Sequence, residues 1–229
     1  MDVRIVDDPA RVVADLLVDV ACAGGHVALA GGSTPRRAYE MVAEGDADLS
    51  AATLWLGDER VVGRDDERSN ARMAREALCE RVPEERRPRL MEVETGLGPE
   101  GAAAAYESKL REELGNHPRL DLVLLGLGPD SHTASLFPGK PALGETRRLV
   151  AAVPEAGMEP QVPRVTMTFP LLNTAREVVF LVAGADKAEA VRRAFAEPPD
   201  ESSPAAHVRP GAGTLTLVLD HAAGRGLQP

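Results

Sequence analysis

The sequence has few aromatic side chains, few cysteines and no long apolar run. Phe, Tyr and Trp make up only 3% of the 229 residues, so Val, Leu and Ala must build most of the core. Cys22 and Cys79 lack the spacing of metal ligands, and we expect two reduced thiols. No stretch approaches the roughly 20 uncharged apolar residues of a membrane span, and no secretory leader is visible. The composition therefore predicts a soluble cytoplasmic protein.

Positive charge is scarce as well. The formal net charge is −10 at pH 7, and lysine occurs only at Lys109, Lys140 and Lys187. Such a surface repels nucleic acid and anionic lipid, so neither is an expected partner. An anionic substrate would need a local cationic pocket. The apolar share of 44% and the charged share of 27% are typical of globular proteins, which excludes disordered, collagen-like and coiled-coil chains.

Strand-like and helix-like segments alternate along the chain, as in βαβ units around a parallel sheet. We find no repeat and no linker, so residues 1–229 are predicted to form one α/β domain. Its expected architecture is an open, Rossmann-like, mostly parallel sheet flanked by helices. The predicted strands are 3–6, 27–30, 53–56, 90–93, 122–125, 148–153, 178–183 and 215–219, and the predicted helices are 8–23, 35–43, 69–82, 99–114 and 187–195.

A glycine-rich turn follows the second predicted strand. Gly31 and Gly32 permit positive φ and close approach to the backbone, while Thr34 can cap the helix that Pro35 begins. Free N–H groups at this helix start, with Ser33, can bind an anion. The segment matches neither the dinucleotide fingerprint nor the Walker loop. A small phosphorylated molecule therefore fits better than a nucleotide, and an ordinary strand-to-helix turn is the alternative.

Charged residues follow the third predicted strand. Asp58 and Glu59 can orient a hydroxyl, a histidine or an arginine, and Arg60 offers paired donors to a phosphate or carboxylate. Arg164 and Lys187, near the starts of later elements, could supply the missing cationic pocket. Each of these residues could instead be a solvated surface charge. Because loops at the carboxyl ends of parallel strands meet in one crevice, we expect them to come together.

His132 is the main candidate for proton transfer. It lies two residues after Asp130, on a glycine-rich turn that follows a wholly apolar strand. Imidazole titrates near neutral pH, which suits a general base; a histidine that only caps the turn is the alternative. The other histidines lack metal-site spacing. A catalytic Ser131 or Ser135 would lack the Gly-x-Ser-x-Gly elbow.

At these residues the sequence resembles the 6-phosphogluconolactonase family, within a larger group that also contains glucosamine-6-phosphate deaminases. One such motif would be weak, whereas six in family order across nearly the whole chain are a specific signal. The matching segments are 30–35, 57–60, 69–70, 126–138, 163–168 and 184–187, followed by the similar C-terminal segments 204–209 and 215–220.

Two positions refine the resemblance. The deaminases carry a glutamate that takes part in ring opening where this chain has Phe137, and phenylalanine cannot transfer a proton. The run from Thr133 to Pro138 is instead similar to the lactonase version. The family usually has glycine immediately before the histidine, where this chain has Ser131. If that position uses positive φ, the serine costs about 1–2 kcal/mol of strain.

The resemblance implies hydrolysis of 6-phospho-D-glucono-1,5-lactone to 6-phosphogluconate, the second step of the oxidative pentose phosphate pathway, without a metal or other cofactor. His132 would activate water, with Asp130 or Asp58 fixing the tautomer of its ring. Arg60 or backbone N–H groups would stabilise the oxyanion. The residues expected to hold the substrate are Gly31, Gly32, Ser33, Thr34, Arg164 and Lys187.

Three alternatives stay open at this point. They are deamination of glucosamine 6-phosphate, isomerisation of another sugar phosphate such as ribose 5-phosphate, and non-catalytic sensing of a sugar phosphate. The expected partner in each case is a small phosphorylated sugar, and we expect a monomer or a weak dimer.

Overall fold

A seven-stranded parallel sheet forms the centre of the computed structural model, which describes residues 1–227. The strand order is β1-β10-β9-β6-β2-β3-β5, and every neighbouring pair is parallel. The strands are β1 (Asp2–Ile5), β2 (His26–Leu29), β3 (Thr53–Leu56), β4 (Asp58–Arg60), β5 (Arg89–Met91), β6 (Leu122–Leu125), β7 (Val150–Val153), β8 (Arg164–Met167), β9 (Glu177–Val182) and β10 (Thr214–Leu219).

Seven α-helices occur in the described part of the chain. Pro9, in the first turn of α1, has no N–H to satisfy, and the Asp8 carboxylate accepts from the Arg11 amide to cap the same turn. The helices are α1 (Pro9–Cys22), α2 (Ser33–Ala43), α3 (Asn70–Ala74), α4 (Gly98–Leu114), α5 (Phe169–Leu172), α6 (Ala188–Phe195) and α7 (His221–Gly224). None of them is long and apolar enough to cross a bilayer.

The order of the strands creates a crevice near the middle of the sheet. From β2 the chain runs outward through β3 to β5, returns to place β6 on the other side of β2, and then runs outward through β9 to β10. The connections therefore diverge between β2 and β6. In open α/β sheets ligands bind at such a switch point, outside the carboxyl ends of the strands.

A second, three-stranded antiparallel sheet stands next to this crevice, in the order β4-β8-β7. Only Gly57 separates β3 from β4, and its carbonyl accepts a hydrogen bond of 2.8 Å from the Met167 amide. The chain thus leaves the large sheet and enters the small one within a single residue. This step carries the side chains of β4 to the edge of the crevice.

The predicted open, mostly parallel sheet flanked by helices is confirmed, with differences in detail. The small sheet was not predicted, since the segment Asp58–Arg60 read as a charged loop. The predicted helix 69–82 is α3 followed by a π-helical turn, Arg75–Cys79. Residues 228 and 229 of the predicted domain lie outside the described residues, so the single domain 1–229 stays a prediction.

Six of the seven Phe, Tyr and Trp residues are buried in the core. Trp55 and Tyr106 are buried, with ring centroids 5.7 Å apart. The Tyr106 hydroxyl accepts from the Leu56 amide at 2.6 Å and lies 3.2 Å from the Met91 carbonyl, which can accept its proton. It therefore satisfies backbone groups of β3 and β5 from α4.

Replacing this hydroxyl should cost stability. We expect Tyr106→Phe to lower the free energy of unfolding by about 1–3 kcal/mol, because the Leu56 amide and the Met91 carbonyl lose their partner in a dry environment. Urea denaturation measures this change. Val3→Thr, on the exposed edge strand β1, is the control and should change it by no more than about 0.5 kcal/mol. A Tyr106→Phe protein as stable as that control contradicts the assignment.

Candidate active site

A cavity of about 220 Å³ occupies the crevice at the switch point. The backbone after β2, β3 and β6 contributes much of its wall, at Ala30, Gly31, Gly32, Gly57 and residues 126–128. The charged and titratable side chains that line it are Asp58, Arg60, His132, Arg164 and Lys187. Most of the residues predicted to form the site are therefore brought together.

Arg60 and Arg164 face each other across the small sheet. They occupy paired positions on β4 and β8, an arrangement in which like charges repel. The Arg60 guanidinium donates to the Arg68 carbonyl, and the Arg164 guanidinium donates to the carbonyls of Met158 and Pro160. No carboxylate of residues 1–227 forms an ion pair with either group, and both Nε atoms are buried without a partner. The cavity thus presents donors suited to an anion.

Burial makes this cationic pair costly. Arg164 is only 4% exposed, and burial lowers its pKa from the ordinary value, while the Asp58 carboxylate opposes that shift. An arginine nevertheless stays charged at neutral pH. Lys187, in the short turn before α6, adds a third cation, and its Nζ lies 3.7 Å from the Asp186 carboxylate. The lining of the cavity is therefore cationic although the chain carries a net charge of −10.

His132 is held by Asp130 through one ring nitrogen. Its Nδ1 lies 2.6 Å from Asp130 Oδ1, and its backbone amide donates to the same oxygen at 3.1 Å. Burial opposes ionisation of Asp130, but the hydrogen bonds and charge of His132 outweigh it and lower the pKa of Asp130 overall. An ionised carboxylate at this distance requires the proton on Nδ1. The lone pair of the neutral ring then lies on Nε2, where a general base needs it.

The turn that carries His132 is tightly packed and strained. A Cβ at Gly128 would collide with the imidazole, so only glycine fits there. Ser131 has φ +66° and Ala134 has φ +48°, a region that side chains other than glycine rarely adopt. Ser131 therefore carries the strain predicted for it, and its buried hydroxyl finds no partner among the described residues.

Phe137 separates the histidine from the buried arginine. Its ring centroid lies 4.6 Å from that of His132 and 5.4 Å from the guanidinium carbon of Arg164. The phenyl ring is buried and packs against Gly157, where a Cβ would be too close. The phenyl ring thus packs against the imidazole, and its cation–π contact holds Arg164.

Asp58 is fixed by two neutral donors rather than by an arginine. Ser135 Oγ donates to its Oδ2 at 2.6 Å, and Asn70 Nδ2 lies 3.2 Å from its Oδ1. Asn70 also donates to the Asp58 carbonyl at 2.9 Å and packs so closely on Gly31 that a Cβ there would collide with it. The ring of His132 is held by Asp130, which leaves Asp58 as an acceptor at the wall of the cavity.

Glu59, which the sequence only suggested as an orienting group, is 1% exposed and faces away from the cavity. Its carboxylate accepts from the Ser69 hydroxyl and from the backbone amides of Arg60, Asn70 and Ala71. Burial raises the pKa of Glu59 above its ordinary value, and these four hydrogen bonds oppose the shift. The Ser69-Asn70 pair could have indicated this role, because a loop of about ten residues is long enough to bring both residues back to the Glu59 carboxylate.

Ser33 and Thr34 line a different depression. It is bordered by the three carboxylates of Asp7, Asp8 and Asp220 and by Arg37, which pairs with Asp8. The net negative charge disfavours a phosphate. Helix α2 begins at Ser33, with Gly32 as its N-cap, so Thr34 is not the cap. The structure does not bring these two side chains together with His132, and their predicted part in phosphate binding stays a prediction.

Two other arrangements that the sequence left open find little support in the geometry. The Ser135 hydroxyl donates a hydrogen bond to Asp58 rather than to a histidine. No hydrogen bond joins Ser131 or Ser135 to the His132 ring in residues 1–227. No group of three His, Cys, Asp or Glu side chains in that range is placed to hold a metal ion. Cys22 is exposed and Cys79 is buried, and they form no disulfide.

Comparison with known proteins gives a consistent result. Residues 7–217 match the family described as glucosamine-6-phosphate isomerases/6-phosphogluconolactonase. The chain is 42% identical over 213 residues to the 6-phosphogluconolactonase of Synechocystis sp., covering 90% of this chain and 85% of that protein. It is similar to the structures of 6-phosphogluconolactonase from Trypanosoma cruzi (31% identity, TM-score 0.88, 100% of this chain and 97% of that one) and from Leishmania guyanensis (32%, 0.86, 100% and 99%).

The strain at Ser131 can be measured directly. We expect Ser131→Gly to be more stable than Ser131→Ala by about 1 kcal/mol, because only glycine adopts φ +66° without a steric cost. Both variants remove the hydroxyl, so their difference isolates the backbone. In an ordinary helix or strand the order is reversed. Thermal or urea unfolding of both proteins gives the sign, and an alanine variant that is the more stable of the two would contradict the strain.

Proposed function

The chain belongs to the glucosamine-6-phosphate isomerase/6-phosphogluconolactonase family, and from this premise we propose that it hydrolyses 6-phospho-D-glucono-1,5-lactone to 6-phospho-D-gluconate. The observation that carries the proposal is that one cavity holds both an imidazole whose Nε2 is free to accept a proton and a cluster of three cations, of which the two arginines have no carboxylate partner in residues 1–227. His132 has Nε2 free of Asp130, and Arg60, Arg164 and Lys187 line the same space. A phosphorylated cyclic ester needs both features.

The proposed chemistry begins with a water molecule at C1 of the lactone. His132 Nε2 takes a proton from this water as the oxygen attacks, and Asp130 stabilises the imidazolium that forms. The carbonyl oxygen becomes negatively charged in the tetrahedral intermediate. The intermediate collapses when the bond from C1 to the ring oxygen breaks, and protonated His132 returns its proton to that oxygen on C5. Water is consumed, and the histidine ends neutral.

The oxyanion needs donors that are already in place. The Arg60 guanidinium or the backbone N–H groups of Gly31 and Gly32 are the proposed donors, since these residues line the cavity. Removal of one such donor in other hydrolases costs about 3–4 kcal/mol of transition-state stabilisation. Because a lactone is an activated ester, the proposed reaction uses neither a metal nor a covalent serine.

Arg164 and Lys187 are proposed to hold the phosphate. A phosphate carries about two negative charges at neutral pH, and it would neutralise Arg164, which has no carboxylate partner in residues 1–227, and compete with Asp186 for Lys187. This binding energy would also offset the repulsion between Arg164 and Arg60. The field of the acidic chain disfavours the substrate at long range, so the affinity must come from these short-range contacts.

Two further candidates remain within the family or its fold. Deamination of glucosamine 6-phosphate is disfavoured because the buried ring of Phe137 stands where a proton-transferring carboxylate would be expected. A sugar-phosphate sensor without catalysis would need the cationic pocket but not the bond from His132 to Asp130. A cytoplasmic location, and a monomer or weak dimer, are part of the proposal as the sequence predicted them.

The decisive test is acid release from freshly prepared 6-phosphogluconolactone, corrected for spontaneous hydrolysis. We expect turnover by the wild-type protein and a fall in kcat of about 10²- to 10⁴-fold in His132→Gln, because the general base is lost. His117→Gln, the same change at an exposed histidine, should stay within twofold of wild type. Ammonia release from glucosamine 6-phosphate without lactone hydrolysis would replace the proposal with deamination. Tight binding without turnover would favour the sensor.

A second test separates substrate binding from chemistry. We expect Lys187→Ala to raise KM about 10- to 100-fold with little change in kcat, because a charged hydrogen bond to the phosphate is present in both ground state and transition state. Lys140→Ala, at a lysine paired with Glu155 outside the cavity, is the matched control. A Lys187→Ala protein that loses kcat at unchanged KM would move this lysine to the reacting carbonyl.

A further inference from the structure

We infer that Glu59 is a positioning residue for this reaction: its buried carboxylate bonds to the Arg60 amide and to the first turn of α3, and so holds Arg60 and the Asn70–Asp58 pair at the wall of the cavity. The inference rests on the proposed function, since it gives the residue a part in that hydrolysis.

The hydrogen bonds of Glu59 fill both carboxylate oxygens. Oε1 accepts from the backbone amides of Arg60 at 2.6 Å and Asn70 at 2.7 Å. Oε2 accepts from the Ser69 hydroxyl at 3.0 Å and the Ala71 amide at 2.7 Å. Three of these donors are backbone N–H groups, which cannot turn round and accept. A carboxylate is the side-chain group that can accept from two donors at each of two oxygens.

Glu59 does not touch the reacting centre. Side chains alternate along a strand, so on β4 Asp58 and Arg60 face the cavity while Glu59 points to the opposite side. It lines a separate cavity instead, together with Arg64 and Lys109. Any influence of Glu59 on the chemistry must therefore pass through the backbone of β4 or through α3.

Two contacts transmit the position of Glu59. The first is the Arg60 amide, which fixes the backbone that carries the guanidinium. The second is the Asn70 amide at the start of α3, because the Asn70 side chain donates to the carbonyl of Asp58 and lies against its carboxylate. The Glu59 carboxylate thus fixes the positions of Asp58 and Arg60, the two residues of β4 that face the cavity.

The need for such support comes from the cationic pair. Arg60 stands opposite Arg164 on a strand of only three residues, and the two charges push that strand outward when no anion is bound. Three amides of the strand and the helix turn converge on one carboxylate, which resists this displacement. A shift of about 1 Å near a reacting centre can cost roughly 100-fold in rate.

Glu59→Gln tests the inference, because glutamine has nearly the same size and shape as glutamate but replaces one of its two acceptor oxygens by an NH₂ donor. Its neutral amide oxygen can still face the Arg60 and Asn70 amides, but both bonds lose the negative charge that made them short and strong. Its NH₂ turns to the Ser69 hydroxyl and leaves the Ala71 amide without an acceptor. We expect kcat for the lactone to fall about 10- to 100-fold while KM changes less than about threefold, because Lys187 at the phosphate is undisturbed.

Asp121→Asn is the matched control for general loss of stability. The Asp121 carboxylate also accepts from a backbone amide, that of His26, and it lies at the amino end of β2 and β6, opposite the cavity. Both variants are compared at a temperature where unfolding curves show each to be folded. We expect Asp121→Asn to keep kcat within twofold of wild type. A Glu59→Gln protein whose kcat matches that of Asp121→Asn overturns the inference.

A second readout does not depend on turnover. In the wild-type protein we expect the amide protons of Arg60, Asn70 and Ala71 to resonate far downfield in NMR spectra, as donors of short bonds to a carboxylate. All three should move upfield in Glu59→Gln, and that of Ala71 should move most. Ordinary shifts for all three in the wild type overturn the inference even if the enzyme is active. Wild-type protein that shows these shifts but no lactonase activity overturns the proposed function instead.

Asn70→Ala provides a variant for the case in which Glu59→Gln does not fold. It leaves the Asn70 backbone bond to Glu59 in place and removes the link from α3 to Asp58. We expect kcat to fall about 5- to 50-fold while the Arg60 and Ala71 amide shifts persist. Wild-type kcat in this variant would show that α3 does not transmit the position of Glu59.

Discussion

The repulsion between two guanidinium groups is the constraint that the rest of this site must accommodate. Arg60 and Arg164 stand at paired positions on antiparallel strands, without a carboxylate partner and with buried Nε atoms that bind nothing in the described chain. A fold does not gain stability from such a pair. In the proposed reaction a phosphate or a developing oxyanion satisfies it, and the groups shown around it are backbone carbonyls and the ring of Phe137. The acid nearest to it, Asp58, is itself held by Ser135 and Asn70.

The architecture explains how one chain assembles these groups from distant segments. The switch point between β2 and β6 opens the crevice, and the turn after β6 places His132 in it. The single-residue step at Gly57 moves the chain from the large sheet to the small one, so that β4 borders the same space. His132 and Lys187 therefore follow strands of the large sheet, whereas Arg60 and Arg164 lie on the small one. Asp130, in the same turn, holds His132, and the Glu59 carboxylate holds the Arg60 backbone from the side of β4 that faces away from the cavity.

Much of this could be predicted from sequence, for identifiable physical reasons. The buried strand Leu122–Leu125 is uniformly apolar, and the two-residue spacing of Asp130 and His132 lets one carboxylate reach both the ring and the amide. Other features could not be predicted. The strand β4 is charged at all three positions, and it becomes a strand only because β8, about a hundred residues later, pairs with it. The separation of Ser33 and Thr34 from the cavity depends on how α2 is oriented, which local sequence does not encode.

The cationic lining of the cavity also has a consequence for the protein without substrate. A cavity lined by Arg60, Arg164 and Lys187, in which neither arginine has a carboxylate partner in residues 1–227, can bind small inorganic anions as well as the proposed substrate. On the proposed function, inorganic phosphate or sulphate in a buffer competes with the sugar ester for this cavity, so that the apparent KM rises linearly with the concentration of such oxyanions. The same ions will raise the melting temperature, since they bind the folded form alone. Choice of buffer thus becomes a variable of the enzymology rather than a matter of convenience.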